Sequence, residues 1–131
     1  MPAENSEETG EGGLRVLIVD DNAANAQTTG WMVELFARDY RIAITASDAI
    51  AVAEDFRPHV ALLDIGMPDM NGFDLCKKLR TMAGCEACVF VAQTGWDEQS
   101  YRDRAAEAGF SHYLLKPFSL DQLESVLRQE V

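Results

Sequence analysis

Arg15-Val16-Leu17-Ile18-Val19-Asp20-Asp21-Asn22 decides the fold. A short apolar run rich in β-branched residues, without polar alternation, stops abruptly at two aspartates. Such a run reads as a strand covered on both faces, and strands of that kind belong to parallel sheets. The acids then sit where the strand ends and a helix begins.

Working outward, the same unit recurs. Asn22 to Arg38 reads as a helix with Ala26, Gly30, Val33 and Phe36 or Ala37 on one face. Ile42 to Ala46 is predicted as the second strand, and Ser47 as the cap of a helix that runs to about Phe56 and stops before Pro58. Val60-Ala61-Leu62-Leu63 is the third strand and ends at Asp64; Pro68 to Gly72 is a turn cluster. Phe73 to Met82 is a helix with Leu75, Leu79 and Met82 apolar, and Cys88 to Ala92 is the fourth strand, ending near Thr94-Gly95. A helix from about Asp97 to Ala108 closes at Gly109, and His112 to Leu115 is the fifth strand, ending at Lys116-Pro117. Ser119-Leu120-Asp121-Gln122 forms a capping box, and Leu120, Leu123, Val126 and Leu127 make the apolar stripe of the last helix. Five strand–helix units in a row predict an α/β fold, a doubly wound five-stranded parallel sheet with helices on both faces.

The bulk properties bound the function. The chain has 131 residues, 47% hydrophobic and 25% charged, enough for one domain with its own core. Residues 1–13 are acidic and Gly-containing with nothing to bury, and are expected to be a disordered tail; the folded domain is expected to span 14–131. The net charge is −11, and subtracting the four glutamates of the tail leaves −7. That argues against direct nucleic-acid binding and for a cation or a partner with basic patches. No apolar run approaches a membrane span and the N-terminus does not read as a signal, so no membrane association and a cytoplasmic location are expected. Cys85-Glu86-Ala87-Cys88 has redox spacing, but the pair precedes a strand rather than opening a helix, and reads as two incidental thiols.

In sheets of this class ligands bind beyond the carboxyl ends of the strands. Strand one delivers Asp20 and Asp21 there, strand three Asp64, strand four Thr94 and strand five Lys116. Taken singly, each has a plain explanation. An Asp after a strand caps or turns, and for Asp21 alone the cap reading and the functional one balance; a lone Lys is usually a solvated charge. Five such groups at one edge of an apolar sheet are a different matter. Clustered carboxylates repel and call for a positive occupant, and an all-oxygen donor set selects a hard cation such as Mg²⁺. A metal, a carboxylate nucleophile, a hydroxyl and an ammonium are the parts for phosphoryl transfer to an aspartate. Asp64 ends the central strand and precedes a turn, so it is the best-placed nucleophile.

Val16-Leu17-Ile18-Val19-Asp20-Asp21-Asn22, Leu62-Leu63-Asp64-Ile65-Gly66-Met67-Pro68 with Asn71-Gly72, Thr94-Gly95 and Lys116-Pro117-Phe118 together resemble the response-regulator receiver domains of two-component signalling, from Leu14 to the C-terminus. The resemblance implies a flavodoxin-like sheet of order 2-1-3-4-5. It implies that Asp64 is the phosphorylated residue and that Asp21 is a direct Mg²⁺ ligand. Asp20 would hold metal-bound water, and the Gly66 carbonyl would be a further ligand. It makes Thr94 and Lys116 the phosphoryl-sensing pair, Tyr113 the aromatic switch residue and the Lys116–Pro117 bond cis. It further implies a switch that shifts the face formed by the fourth helix, fifth strand and fifth helix. The implied partner is a histidine kinase or histidine phosphotransfer protein, and the implied state a monomer or weak dimer. Self-catalysed phosphoryl acceptance and slow autodephosphorylation would be its only chemistry. Gly66 and Trp96 depart from the commonest pattern, and both are rim positions that point to a slow-decaying phosphoryl group. The fourth helix, whose apolar content is thin (Tyr101, Ala105 and Ala108 amid Arg102, Asp103, Arg104 and Glu107), has the weak packing a switch element needs.

Two other classes stay open on the residues: a Mg²⁺-dependent phosphohydrolase with an aspartyl-phosphate intermediate, and a receiver-like interaction module that never accepts phosphate. The adjacent acids followed by Asn22 weigh against the first, and the full set of five against the second. A stand-alone regulator and a receiver of a hybrid histidine kinase both stay open, and the stretch from Ala108 to Pro117 resembles hybrid-kinase receivers most.

Overall fold

The computed structural model describes residues 14–37, 39–66, 72–95 and 98–128. The tail 1–13 lies outside them, as do Met67, Pro68, Asn71, Trp96 and Asp97. The elements alternate as β1 (Arg15–Val19), α1 (Ala23–Val33), β2 (Asp39–Ala43), α2 (Ala46–Phe56), β3 (Val60–Asp64), α3 (Gly72–Arg80), β4 (Val89–Thr94), α4 (Gln99–Ala108), β5 (Phe110–Leu115) and α5 (Leu120–Arg128). All strand pairs are parallel, in the order β2-β1-β3-β4-β5. The expected fold class and strand order are therefore found.

The sheet is apolar on both faces, as the unalternating runs require. Val16, Ile18, Val60, Leu62 and Val91 pack with Ala26 and Val33 of α1 and Leu123 and Leu127 of α5. Leu17, Val19, Ala61, Leu63, Phe90 and Ala92 pack with Ala49 and Ala53 of α2, Leu75 and Leu79 of α3 and Ala105 and Ala108 of α4. β1 and β3 sit centrally, so their last residues meet in the middle of the carboxyl edge.

Several boundaries differ from the expected ones. β2 covers Asp39–Ala43 rather than Ile42–Ala46. As an edge strand paired to β1 alone it does not need a continuous apolar run, and Asp39, Tyr40 and Arg41 are tolerated there. Thr45, not Ser47, caps α2, its hydroxyl accepting the Asp48 N–H at 3.0 Å. α1 ends at Val33 and α3 at Arg80, both shorter than expected; β4 runs on to Thr94 and β5 starts at Phe110. Leu120 is 39% exposed and falls outside the buried stripe of α5. The capping box forms as expected: the Ser119 N–H donates to Gln122 Oε1 at 2.8 Å and the Gln122 N–H to Ser119 Oγ at 3.1 Å. Gly109 closes α4 at φ 113°, where a Cβ would be strained.

Burial pushes the Cys76 thiol up to about 12 and raises Cys85 and Cys88 as well. Thiolates are the reactive form, so these groups are packing residues at neutral pH, which agrees with the plain reading of Cys85 and Cys88.

At the opposite edge of the sheet, the Arg15 N–H donates to His59 Nδ1 at 2.9 Å, and the His59 N–H donates to the Arg15 carbonyl at 2.8 Å. The ring thus replaces a missing ladder partner, and can do so only while Nδ1 is unprotonated. Burial, then the nearby Arg15 charge, lowers the His59 pKa below 6.5. A histidine depressed in the fold binds its proton more readily when unfolded. Its contribution to stability is complete above about 6.5 and declines as pH falls toward the folded-state value. The urea midpoint is expected to drop between pH 7.5 and 5.5, with a shallower drop in His59→Gln; equal slopes would show that folding does not shift the His59 pKa.

Candidate functional site

The site begins with how each strand ends. Asp20 continues the β1 path, its N–H donating to the Ala43 carbonyl at 3.1 Å, and its side chain is almost fully buried. Its Oδ1 accepts the Asn22 N–H at 3.0 Å. Asn22 is the cap of α1, with Oδ1 accepting the Asn25 N–H at 3.0 Å. The cap reading held open for Asp21 is thereby corrected: its neighbour takes that task, and Asp21 stands exposed beside Asp20. On β3, Asp64 Oδ1 accepts the Gly66 N–H at 2.9 Å. The start of α3 abuts this turn, because the Gly72 N–H reaches the Ile65 carbonyl at 3.4 Å. On β4, Thr94 is buried, and its carbonyl accepts the Lys116 N–H at 2.7 Å, which aligns the end of β5 with that of β4. The Lys116–Pro117 peptide is cis, as the resemblance implied.

These ends bring the polar groups together. Carboxylate oxygens of Asp20, Asp21 and Asp64 all lie within 4.8 Å of one another. Lys116 Nζ donates to Asp20 Oδ2 at 2.9 Å and to Asp64 Oδ2 at 3.3 Å, from a side chain 24% exposed. Burial lowers the Lys116 pKa, but the bond to Asp20 and the charges of Asp64 and Asp20 outweigh it, so the net shift is upward and Lys116 is an ammonium at neutral pH. Three carboxylates and one ammonium leave two uncompensated negative charges. Each carboxylate pair about 4 Å apart repels by ~4 kcal/mol at an effective dielectric of 20. The residues fit a divalent hard cation on both counts, charge and an oxygen-only donor set, and leave room for ligands from water or substrate.

Of the expected site residues, the geometry gathers Asp20, Asp21, Asp64 and Lys116 directly and places Thr94 at the adjoining strand end. Gly66 sits in the turn after Asp64, and Tyr113 lies on β5, partly buried. Trp96 falls outside the described residues. One residue went unnoticed in the sequence. Gln93 is fully buried, and its Nε2 donates to the Val19 and Leu62 carbonyls at 3.3 and 3.4 Å, tying the ends of β1, β3 and β4 just beneath the acids. Its signal was a lone amide in the apolar run Val89-Phe90-Val91-Ala92-Gln93-Thr94.

The family model for the response regulator receiver domain matches residues 16–128. The chain belongs to that family. As a receiver domain it is 32% identical over 118 residues to the transcriptional regulatory protein KdpE of Mycobacterium tuberculosis, covering 88% of this chain and 50% of that protein. The receiver thus spans about half the length of the curated relative it matches. Among solved structures it is similar to a CheY-like receiver domain protein from Methanospirillum hungatei, with TM-score 0.80, 30% identity and coverage of 90% and 96% of the two chains. A second CheY-like receiver domain, from Methylobacillus flagellatus, gives TM-score 0.81 at 27% identity over 91% and 99%. No helix among the described residues is long and apolar enough to cross a membrane.

Proposed function

We propose that this receiver domain, residues 14–131, is a cytoplasmic phospho-accepting switch of a two-component phosphorelay, with Asp64 as the acceptor and a histidine kinase or histidine phosphotransfer protein as the donor. The observation that carries the reading is the meeting of three carboxylates within 4.8 Å under an ammonium shared between Asp20 and Asp64. An Asp64 oxygen attacks the phosphorus of a phosphohistidine; a P–O bond forms, the P–N bond breaks and the imidazole leaves with the electron pair.

Asp64 is held for this by the Gly66 N–H on Oδ1, while Oδ2 faces Lys116. The Lys116 ammonium meets the charge spread over the transferring oxygens, the part such groups play in phosphoryl transfer. Thr94 follows the phosphoryl group with its hydroxyl, and Tyr113 follows Thr94. Asp21, Asp20, Asp64 and the Gly66 carbonyl are the residues to hold Mg²⁺. That cation, when bound, neutralises the acids and the incoming phosphoryl charge.

Incubation with acetyl phosphate is expected to add one phosphoryl group per chain by intact mass, with Mg²⁺ and not with EDTA. Asp21→Asn is expected to raise the Mg²⁺ concentration needed for half-maximal labelling about tenfold while leaving the metal-free fold as stable or more so, since it removes one repelling charge. Multiple turnover on small phosphate esters would instead assign the site to a phosphohydrolase, and no labelling under any metal condition would leave only an interaction module.

A further inference from the structure

α4 buries only Ala105 and Ala108. At about 100° per residue these share a side of the helix with Tyr101, and Arg102 and Arg104 fall on opposite flanks. Both arginines lie over rings. Arg102 Cζ sits 4.4 Å from the ring centroid of Tyr113 on β5, and Arg104 Cζ sits 4.2 Å from that of Phe73 in the first turn of α3. Phe73 also stacks on Tyr101, with centroids 6.3 Å apart and planes at 14°. A helix with little apolar area is thus held on each flank by a guanidinium on an aromatic face, an attraction effective within about 6 Å. The two contacts differ in their consequences. Phe73 is fixed in the core, whereas Tyr113 is only partly buried and lies three residues before Lys116.

We propose that Arg102 is a positioning residue for the switch: its guanidinium holds the Tyr113 ring in the orientation that accompanies a free Asp64 carboxylate. The inference rests on Asp64 being the acceptor and on Tyr113 turning when Asp64 is modified. A contact present in one arrangement and broken in the other biases the equilibrium by its own strength. Removing it favours the modified arrangement, and a contact of this type shifts the balance about two- to fivefold. The sign is informative. Deleting a positive charge alone weakens uptake of an anion, whereas deleting the latch strengthens it.

The test uses the full chain labelled with 3-fluorotyrosine, which reports on its three tyrosines, Tyr40, Tyr101 and Tyr113. Beryllofluoride, a phosphoryl mimic that adds to a carboxylate, is titrated in Mg²⁺. Arg102→Ala is expected to lower the half-saturating concentration about two- to fivefold and to move the Tyr113 fluorine line toward its saturated position before any mimic is added. Arg102→Lys, which keeps the charge and loses the flat stack, should fall between. Arg128→Ala, an arginine on α5, controls for charge. Wild-type uptake with Arg102→Ala behaving as Arg128→Ala, or an unmoved Tyr113 line, overturns the latch alone. A wild-type chain that takes up no beryllofluoride overturns the acceptor reading and the latch with it.

Discussion

Lys116→Met is expected to destabilise the metal-free domain by about 2–3 kcal/mol, and Mg²⁺ is expected to restore more stability to this variant than to the wild type. Breaking a buried ion pair by deleting one partner costs ~3–5 kcal/mol, and the partial exposure of Lys116 reduces that figure. The reason is what stays behind. The Asp20 side chain is only 2% exposed and would be left with a single backbone donor, facing Asp64 and Asp21 without the shared ammonium. A divalent cation supplies the missing charge from the other side, so the metal-induced rise in the urea midpoint should be larger in the variant. The double variant Asp20→Asn with Lys116→Met should recover part of the loss, since the two changes touch one interaction. A Lys116→Met chain as stable as the wild type would mean that the ammonium shared by Asp20 and Asp64 contributes no net stability to the fold.

Gly72→Ala is expected to lower stability by up to about 2 kcal/mol and to reduce labelling at the acidic site. A Cβ at Gly72 would lie 2.5 Å from Ile65 Cα and 2.8 Å from the Asp64 carbonyl oxygen. Both are backbone atoms, so no side chain can swing away; either α3 lifts or the end of β3 shifts. Overpacking of this kind costs ~1–3 kcal/mol, against ~1 kcal/mol gained from replacing Gly by Ala in a helix. The shift falls on the residue proposed to accept the phosphoryl group. Gly66→Ala makes the contrast: among the described residues its Cβ would meet Asp64 Oδ1 at 3.6 Å, an ordinary contact, so stability should change less than in Gly72→Ala. Unchanged stability and labelling in Gly72→Ala would show that the α3 start is free to move away from Asp64.

The central strands were legible because they are buried on both faces, and burial on both faces leaves an unbroken apolar run that ends where the sheet ends. Asp20, Asp64 and Lys116 were legible for the same reason, as charges where such runs stop. β2 was not, because an edge strand with one hydrogen-bonded neighbour is free to carry Asp39 and Arg41, and the apolar signal slid toward Ile42. The cap of α1 was weighed at Asp21 alone, with Asn22 read as the first helical residue; Asn22 takes the cap, which leaves Asp21 to the cluster. Gln93 was overlooked because a polar residue near a strand end reads as the end, whereas here it ties three strands together. Arg102 and Arg104 read as solvent-facing charges. Their packing over Tyr113 and Phe73 depends on neighbours from β5 and α3 that no periodicity within α4 reveals.

The most direct test of the central claim is to locate the phosphoryl group. The chain is labelled with acetyl phosphate in Mg²⁺, the acyl phosphate is reduced with borohydride, and peptides are sequenced by mass spectrometry in parallel with Asp64→Asn. The account predicts reduction at Asp64 alone and no labelling of Asp64→Asn. Labelling that persists in that variant, or a reduced residue at Asp20 or Asp21, would contradict it.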